Sequence, residues 1–409
     1  MNLQQAELPE PPADARAASA ALSRMIAAEI DARGGWISFA RYMELALYAP
    51  GLGYYSGGSQ KFGGHRAGGD FLTAPELTPL FAGALARQVA QILTASSPQV
   101  IEAGAGSGRL AADLLPALAA LNCLPERYCI VELSGELRAR QQAALAERAP
   151  QFADRVEWLN ALPERFSGCL IGNELLDAMP THALRWSDED DVPAVLERGV
   201  GLEGGVPVTA ERPATGVLLD AAQAIGVRAP YRSEISLAAR SWVSELARRL
   251  EKGAMLLIDY GLPRHELYHA LRDGGTLRCH YRHRLHEDPF WFPGLSDITS
   301  HVDFTAVAEA GFDAGLDVLG FTSQANFLIN CGIGEMIQKQ KVGAGELCML
   351  GTPLRGTATA SADELRARGA VNVLISPNEM GELFKVIALG RGVPGPLLGF
   401  TRGDRVHAL

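Results

Sequence analysis

The chain has 409 residues, 47% of them apolar, and a formal net charge of −10, enough for one large domain with insertions or two smaller ones around a real core. The acidic balance argues against nucleic-acid binding, because phosphate-backbone surfaces cluster Lys and Arg. Cys123, Cys129, Cys169, Cys279, Cys331 and Cys348 form no C-x-x-C pair, which predicts reduced thiols and a cytoplasmic location. Residues 1–16 lack the basic and apolar runs of a targeting segment and no stretch approaches ~18 uninterrupted apolar residues, so no membrane insertion is expected.

Residues 1 to about 15 are expected to be disordered. Leu22, Met25, Ile26 and Ile30 then recur at helical spacing between Arg16 and Arg33, and Gly34-Gly35 stops that helix. A second helix follows Ser38 and ends near Pro50. From Gly51 to Gly69 the chain carries Gly51-Leu52-Gly53-Tyr54-Tyr55 and Phe62-Gly63-Gly64-His65, a pattern that suits a mobile lid or a plain surface loop. Thr73-Ala74-Pro75-Glu76 has the form of a capping box that opens one long helix through Leu80, Leu85, Val89 and Ile92.

Strands at 100–103, 128–132, 156–159 and 169–172 alternate with helices at 109–121 and 135–148, which predicts a parallel α/β sheet. Acidic and glycine-rich segments between 184 and 232 suggest an antiparallel insertion that could carry substrate recognition. The core pattern resumes with a helix at 236–250, a strand at 255–259 and a late pair near 317–330 and 384–390, giving seven strands. Four regions follow: an N-terminal helical and lid region over 1–95, the first part of the core over 96–183, the β-rich insertion over 184–232, and the rest of the core over 233–409.

Val100 to Leu110 is the most informative stretch. An apolar strand passes through Glu102 into a turn with Gly104, Gly106 and Gly108, then into a helix whose free N–H groups face a ligand. Arg109 stands where a dinucleotide fingerprint would place its third glycine, which favours S-adenosyl-L-methionine over NAD. Glu132 ends the next strand about 24 residues past Gly108, close to the ~20 expected of an acid that grips a ribose diol.

At the end of the fourth strand, Asn173, Glu174 and Asp177 stand at the carboxyl edge of the sheet, where such folds bind ligands. Asn173 or Glu174 could align a nucleophilic nitrogen with a sulfonium methyl, a reaction that depends on alignment more than on strong acid or base help. Alternatively, Glu174 and Asp177 cap a helix that starts there. His182 is as well explained by a structural hydrogen bond as by proton transfer. His265-Glu266-Leu267-Tyr268-His269 matches the zinc pattern H-E-x-x-H, but Pro263 and Asp273-Gly274-Gly275 leave only a short helix, and no metal is expected. His280, His283 and His286 are expected to be solvent-exposed, and Asp303 to cap the helix that follows it.

Jointly, Arg41-Tyr42-Met43, Gly53-Tyr54-Tyr55, the Gly69–Glu76 segment, the glycine turn, Asn173–Pro180, Ser296–Thr299 and His301–Phe304 resemble the MidA family of class I S-adenosylmethionine-dependent methyltransferases. The family usually carries proline where this turn has Ala105. The resemblance implies a Rossmann-like, mostly parallel seven-stranded sheet, and a donor bound by Glu102, Gly104, Gly106, Gly108 and Glu132 and closed over by Asp70 and Thr73. The family includes the mitochondrial complex I assembly factor methyltransferase, which makes symmetric dimethylarginine. For this chain the implied acceptor is therefore a protein arginine, on a subunit of a respiratory NADH dehydrogenase, with Glu174, Asn173 and Asp177 as catalytic candidates. A donor-binding assembly factor with little catalysis and a small-molecule methyltransferase are the alternatives.

Overall fold

Apolar residues alternating with period two along the strands, and with helical period between them, build one large two-faced sheet. The computed structural model describes residues 8–57, 73–192, 194–338 and 362–409. The principal strands are β1 (Gln99–Ala103), β2 (Arg127–Val131), β3 (Val156–Leu159), β4 (Phe166–Asn173), β5 (Leu250–Leu262), β6 (Asp317–Ser323) and β7 (Phe384–Arg391). Their order is β3-β2-β1-β4-β5-β7-β6. Neighbours from β3 to β5 are parallel, while β7 runs antiparallel between β5 and β6. Among the described residues the sheet counts eight strands rather than the expected seven, because Val302–Asp303 pairs parallel with the end of β5.

Strand order reverses between β1 and β4, so the helices that leave them diverge and open a crevice at their carboxyl ends. Ala103 pairs with both Val131 and Gly172, and Asn173 pairs with Ile258, which aligns the ends of β2, β1, β4 and β5 along that crevice. Val100, Ile130, Ile171, Leu256 and Val386 pack one face of the sheet against Leu85, Val89, Leu114 and Leu118. Ile101, Cys129, Leu170, Leu257 and Ile387 pack the other against Val243, Leu246 and Val307.

A second, antiparallel sheet joins His182–Trp186, Val195–Glu203, Val206–Pro213 and Tyr231–Ile235 to Ile37–Ser38 from near the N-terminus. Leu22, Ile26, Ile30, Tyr42, Met43 and Tyr54 share a core with Ala178, Ala183, Val200 and Ile298, so the N-terminal helices sit on this sheet beside the crevice.

Several elements differ from expectation. The first helix spans Ala13–Ala32 and so starts inside the stretch expected to be disordered, of which residues 1–7 lie outside the described residues. The single helix expected from Thr73 is split into Ala74–Leu77 and Pro79–Ala95. Pro79 disfavours a helical conformation at Thr78, which is extended with φ −164° and ψ 143° and caps the second piece through its hydroxyl. The late segment at 317–330 is a strand only to Ser323, whose hydroxyl caps the helix Gln324–Asn330. His286 is buried and shares a 2.9 Å hydrogen bond with Ser296, and burial lowers the imidazole pKa of both His280 and His286.

Candidate active site

Gly104, Gly106 and Gly108 have φ of +71°, +51° and +81°, the left-handed region that L side chains avoid, and so turn the chain sharply between β1 and the helix Arg109–Ala120. A Cβ on Gly104 would lie 2.8 Å from Leu175 Cδ1. Gly104 and Gly106 line a crevice of about 960 Å3, but Gly108 does not. A Cβ on Gly108 would lie 2.8 Å from Gln141 Cα, so this glycine is required by the close approach of the next helix rather than by a ligand.

Two acids flank the turn. Glu102 is 3% exposed and its Oε2 accepts a 2.6 Å hydrogen bond from the Tyr128 hydroxyl. Burial lifts its pKa to about 7, although the Tyr128 donor pulls the other way. Glu132 follows β2, where Oε1 accepts from Ser134 N at 2.8 Å and Oε2 accepts from Gln141 Nε2 at 3.0 Å. Arg138 Nη2 donates to the Glu132 carbonyl at 2.9 Å and to Asn160 Oδ1 at 2.7 Å, tying that loop down.

Beyond β4 no helix forms, so Glu174 and Asp177 are not helix caps. Asp259, one residue past the β5 partner of Asn173, holds the loop instead, its Oδ2 accepting from the N–H groups of Leu175, Leu176 and Asp177 at 3.0, 2.8 and 3.3 Å. Glu174 has φ +51°, an uncommon conformation for a side chain of this size. Its Oε1 accepts from Ala74 N at 3.2 Å and Asn173 Nδ2 at 3.1 Å. Burial first and the Asp177 charge second push the Glu174 pKa up to about 8, against those two donors. Asn173 and Glu174 line the crevice, and Asn173 Oδ1 is buried with no partner among the described residues.

Asp177 does not join them. It is 6% exposed, does not line the crevice, and bonds instead to its neighbour Ala178 N at 2.9 Å and to Tyr260. Burial raises the pKa of both Asp177 and Asp259, so the acid cluster behind Glu174 resists carrying full negative charge.

The N-terminal region forms the opposite wall. Tyr48 and Tyr55 stack with ring centroids 5.5 Å apart. The Tyr48 hydroxyl donates to Ala178 O at 2.8 Å, and that of Tyr55 donates to Asp297 at 3.0 Å. Thr73 lines the crevice without capping its helix, and Glu76 accepts from the Ser107 hydroxyl instead of closing a capping box. Asp70, and most of the expected lid, lie outside the described residues.

A family model described as "Putative S-adenosyl-L-methionine-dependent methyltransferase" matches residues 84–322, more than half of the chain. The chain belongs to this MidA-like methyltransferase family. A solved structure from Burkholderia thailandensis, described as a candidate methyl transferase bound to S-adenosyl-homocysteine, is 51% identical with a TM-score of 0.90, covering 98% of this chain and 100% of that one. A second, native crystal structure from the same organism is 49% identical with a TM-score of 0.86, at the same coverage. The mitochondrial protein arginine methyltransferase NDUFAF7 of Danio rerio is 26% identical over 388 residues, 87% of this chain and 83% of its own length. The Caenorhabditis elegans homolog is 27% identical over 340 residues, 75% of each chain.

S-Adenosyl-L-methionine is thus the cofactor of this methyltransferase, and the crevice suits it. It combines a turn with three left-handed glycines, an acid after β2 and a volume typical of nucleotide sites. Sequence reasoning missed Gln141, Asp259, Tyr48 and Trp242, of which Tyr48 and Trp242 line the crevice directly. Asp259 had a readable signal, since it closes the apolar run from Met255 to Ile258, whose last residue pairs with Asn173. His182 Nδ1 lies 2.6 Å from Glu197 Oε1 in the second sheet, away from the crevice lining. His265 lies in a helix of four residues, Arg264–Leu267, that ends before His269, so the two rings do not share a helical face. Among the described residues, no group of three His, Cys, Asp or Glu is placed to hold a metal ion, and no helix is long and apolar enough to cross a membrane.

Proposed function

We propose that this enzyme methylates arginine in a protein substrate, a subunit of a respiratory NADH dehydrogenase of complex I type, and that Glu174 and Asn173 hold the guanidinium. The observation that carries this reading is the adjacent pair of acceptors, Glu174 with Oε1 already engaged and Asn173 Oδ1 buried without a donor among the described residues. A guanidinium presents planar paired N–H donors and stays charged at neutral pH, which suits two adjacent acceptors backed by acids better than a neutral nucleophile would. The Danio rerio and Caenorhabditis elegans relatives, both named as protein arginine methyltransferases, support the same acceptor.

Bound S-adenosylmethionine would supply a methyl carbon made electrophilic by its sulfonium. In our reading Glu132 holds the ribose hydroxyls, Gly104 and Gly106 let the backbone approach the donor, and Glu102 and Thr73 complete its walls. Gly108 serves by packing and Asp177 by supporting Glu174 from behind. Glu174, protonated up to about pH 8 in the free site, gives up that proton to meet the incoming cation and receives the one released as the nitrogen is methylated. The sheet formed around residues 184–232 is assigned to substrate recognition, and the protein to the cytoplasm.

The test is methyl transfer from labelled donor to arginine-bearing peptides of the NADH dehydrogenase subunits. Glu174→Ala is expected to abolish transfer while S-adenosylhomocysteine affinity stays within about threefold by calorimetry. Unchanged turnover in that variant would refute the role. Donor binding without turnover in the wild type would indicate an assembly factor, and label appearing in a metabolite would indicate a small-molecule enzyme.

A further inference from the structure

Gln141 lies in the helix Gly135–Arg148 and is 1% exposed, yet both ends of its amide are engaged. Oε1 accepts from Trp158 Nε1 at 2.9 Å, while Nε2 donates to Glu132 Oε2 at 3.0 Å and to Gly106 O at 3.1 Å. The indole nitrogen can only donate, so Trp158 fixes which way the amide points: its oxygen faces the indole and its NH2 faces the carboxylate and the glycine turn. The close packing at Gly108 brings this helix into reach, since any Cβ there would collide with Gln141 Cα.

We propose that Gln141 is a positioning residue for the nucleoside diol. It locks the carboxylate of Glu132 and the carbonyl of Gly106 into one rigid unit and thereby sets how well the protein distinguishes a ribose from a deoxyribose ligand. The proposal rests on Glu132 being the ribose acid. Ser134 N occupies one acceptor site on Oε1 and Gln141 Nε2 one on Oε2, leaving one on each oxygen for an incoming hydroxyl. Two oxygens each restrained by one donor form a fixed fork for two hydroxyls. Without the Gln141 donor only Ser134 N restrains the carboxylate, Oε2 is released, and the preorganisation of the fork is lost.

Calorimetry with S-adenosylhomocysteine and its 3′-deoxy analogue reads this directly, without turnover or an acceptor. The wild type is expected to prefer the parent compound by at least about tenfold, a modest figure for a hydrogen bond to a charged group. In Gln141→Met, which keeps the volume and loses the amide, affinity for the parent should fall roughly tenfold and the preference should drop below about threefold. Trp158→Phe, which frees the amide to flip, should shift both values the same way by a smaller factor, and it carries the comparison alone if the methionine variant does not fold. A variant that binds both ligands more weakly by the same factor, keeping the preference, would show a merely structural role and overturn the proposal. A wild type with no preference would overturn it together with the assignment of Glu132. Neither result depends on the identity of the methyl acceptor, so failure of the arginine reading is separately visible.

Discussion

Glu174→Gln should stabilise the ligand-free enzyme at alkaline pH while removing its activity. Glu174 titrates near pH 8 in the folded protein against 4.5 in the ordinary range, because burial and the neighbouring Asp177 disfavour its charge. A group whose folded pKa is raised contributes stability that is complete below pH 4.5 and is lost as pH climbs through about 8, because across that window the folded chain holds the extra proton. The full shift corresponds to at most ~5 kcal/mol. Glu174 keeps part of its surface open to the crevice, so solvent screening brings the expected effect to ~2 kcal/mol. Denaturant unfolding of the ligand-free protein at pH 5 and pH 9 measures this directly. The wild type should lose stability between those points, and Glu174→Gln should lose about 2 kcal/mol less, with the two proteins close to equal at pH 5. Parallel pH profiles for both proteins would refute the claim that a buried, protonated carboxyl sits at this position. A more stable but inactive variant is the usual signature of a strained functional site.

Asp259→Ala should leave the N–H groups of Leu175, Leu176 and Asp177 without their shared acceptor. The expected cost is ~3 kcal/mol by denaturant midpoint, and turnover should fall more than donor affinity because the loop it releases carries Glu174. Gly108→Ala places a Cβ 2.8 Å from Gln141 Cα at a residue with φ +81°. Left-handed strain and overpacking together should cost ~3 kcal/mol, and S-adenosylhomocysteine should bind more weakly even though residue 108 does not line the crevice.

Much of this enzyme is legible in its sequence. The alternating strands and helices from residue 99 onward specify the sheet, because period-two and period-3.6 apolar patterns leave few other ways to bury those faces. The glycine turn and the acid after the second strand mark the crevice, because their chemistry is local: left-handed backbone and a carboxylate at a strand end follow from a few consecutive residues. Asn173 and Glu174 were visible for the same reason.

Properties that depend on residues distant in the chain were decided by the tertiary structure. Asp177, three residues from Glu174, turns inward because Asp259, 82 residues away, draws its N–H and Tyr260 engages its carboxylate. Gln141 looks like one more polar residue of a surface helix until Trp158 and Gly106 close around it. His286 lies in a polar, histidine-rich run that suggests exposure, yet a small sheet buries it against Ser296. Local pattern fixes backbone conformation and the burial of apolar faces, because those energies act over a few residues. The direction and charge of a polar side chain depend on which partners the fold brings within hydrogen-bonding distance, and only the folded chain supplies them.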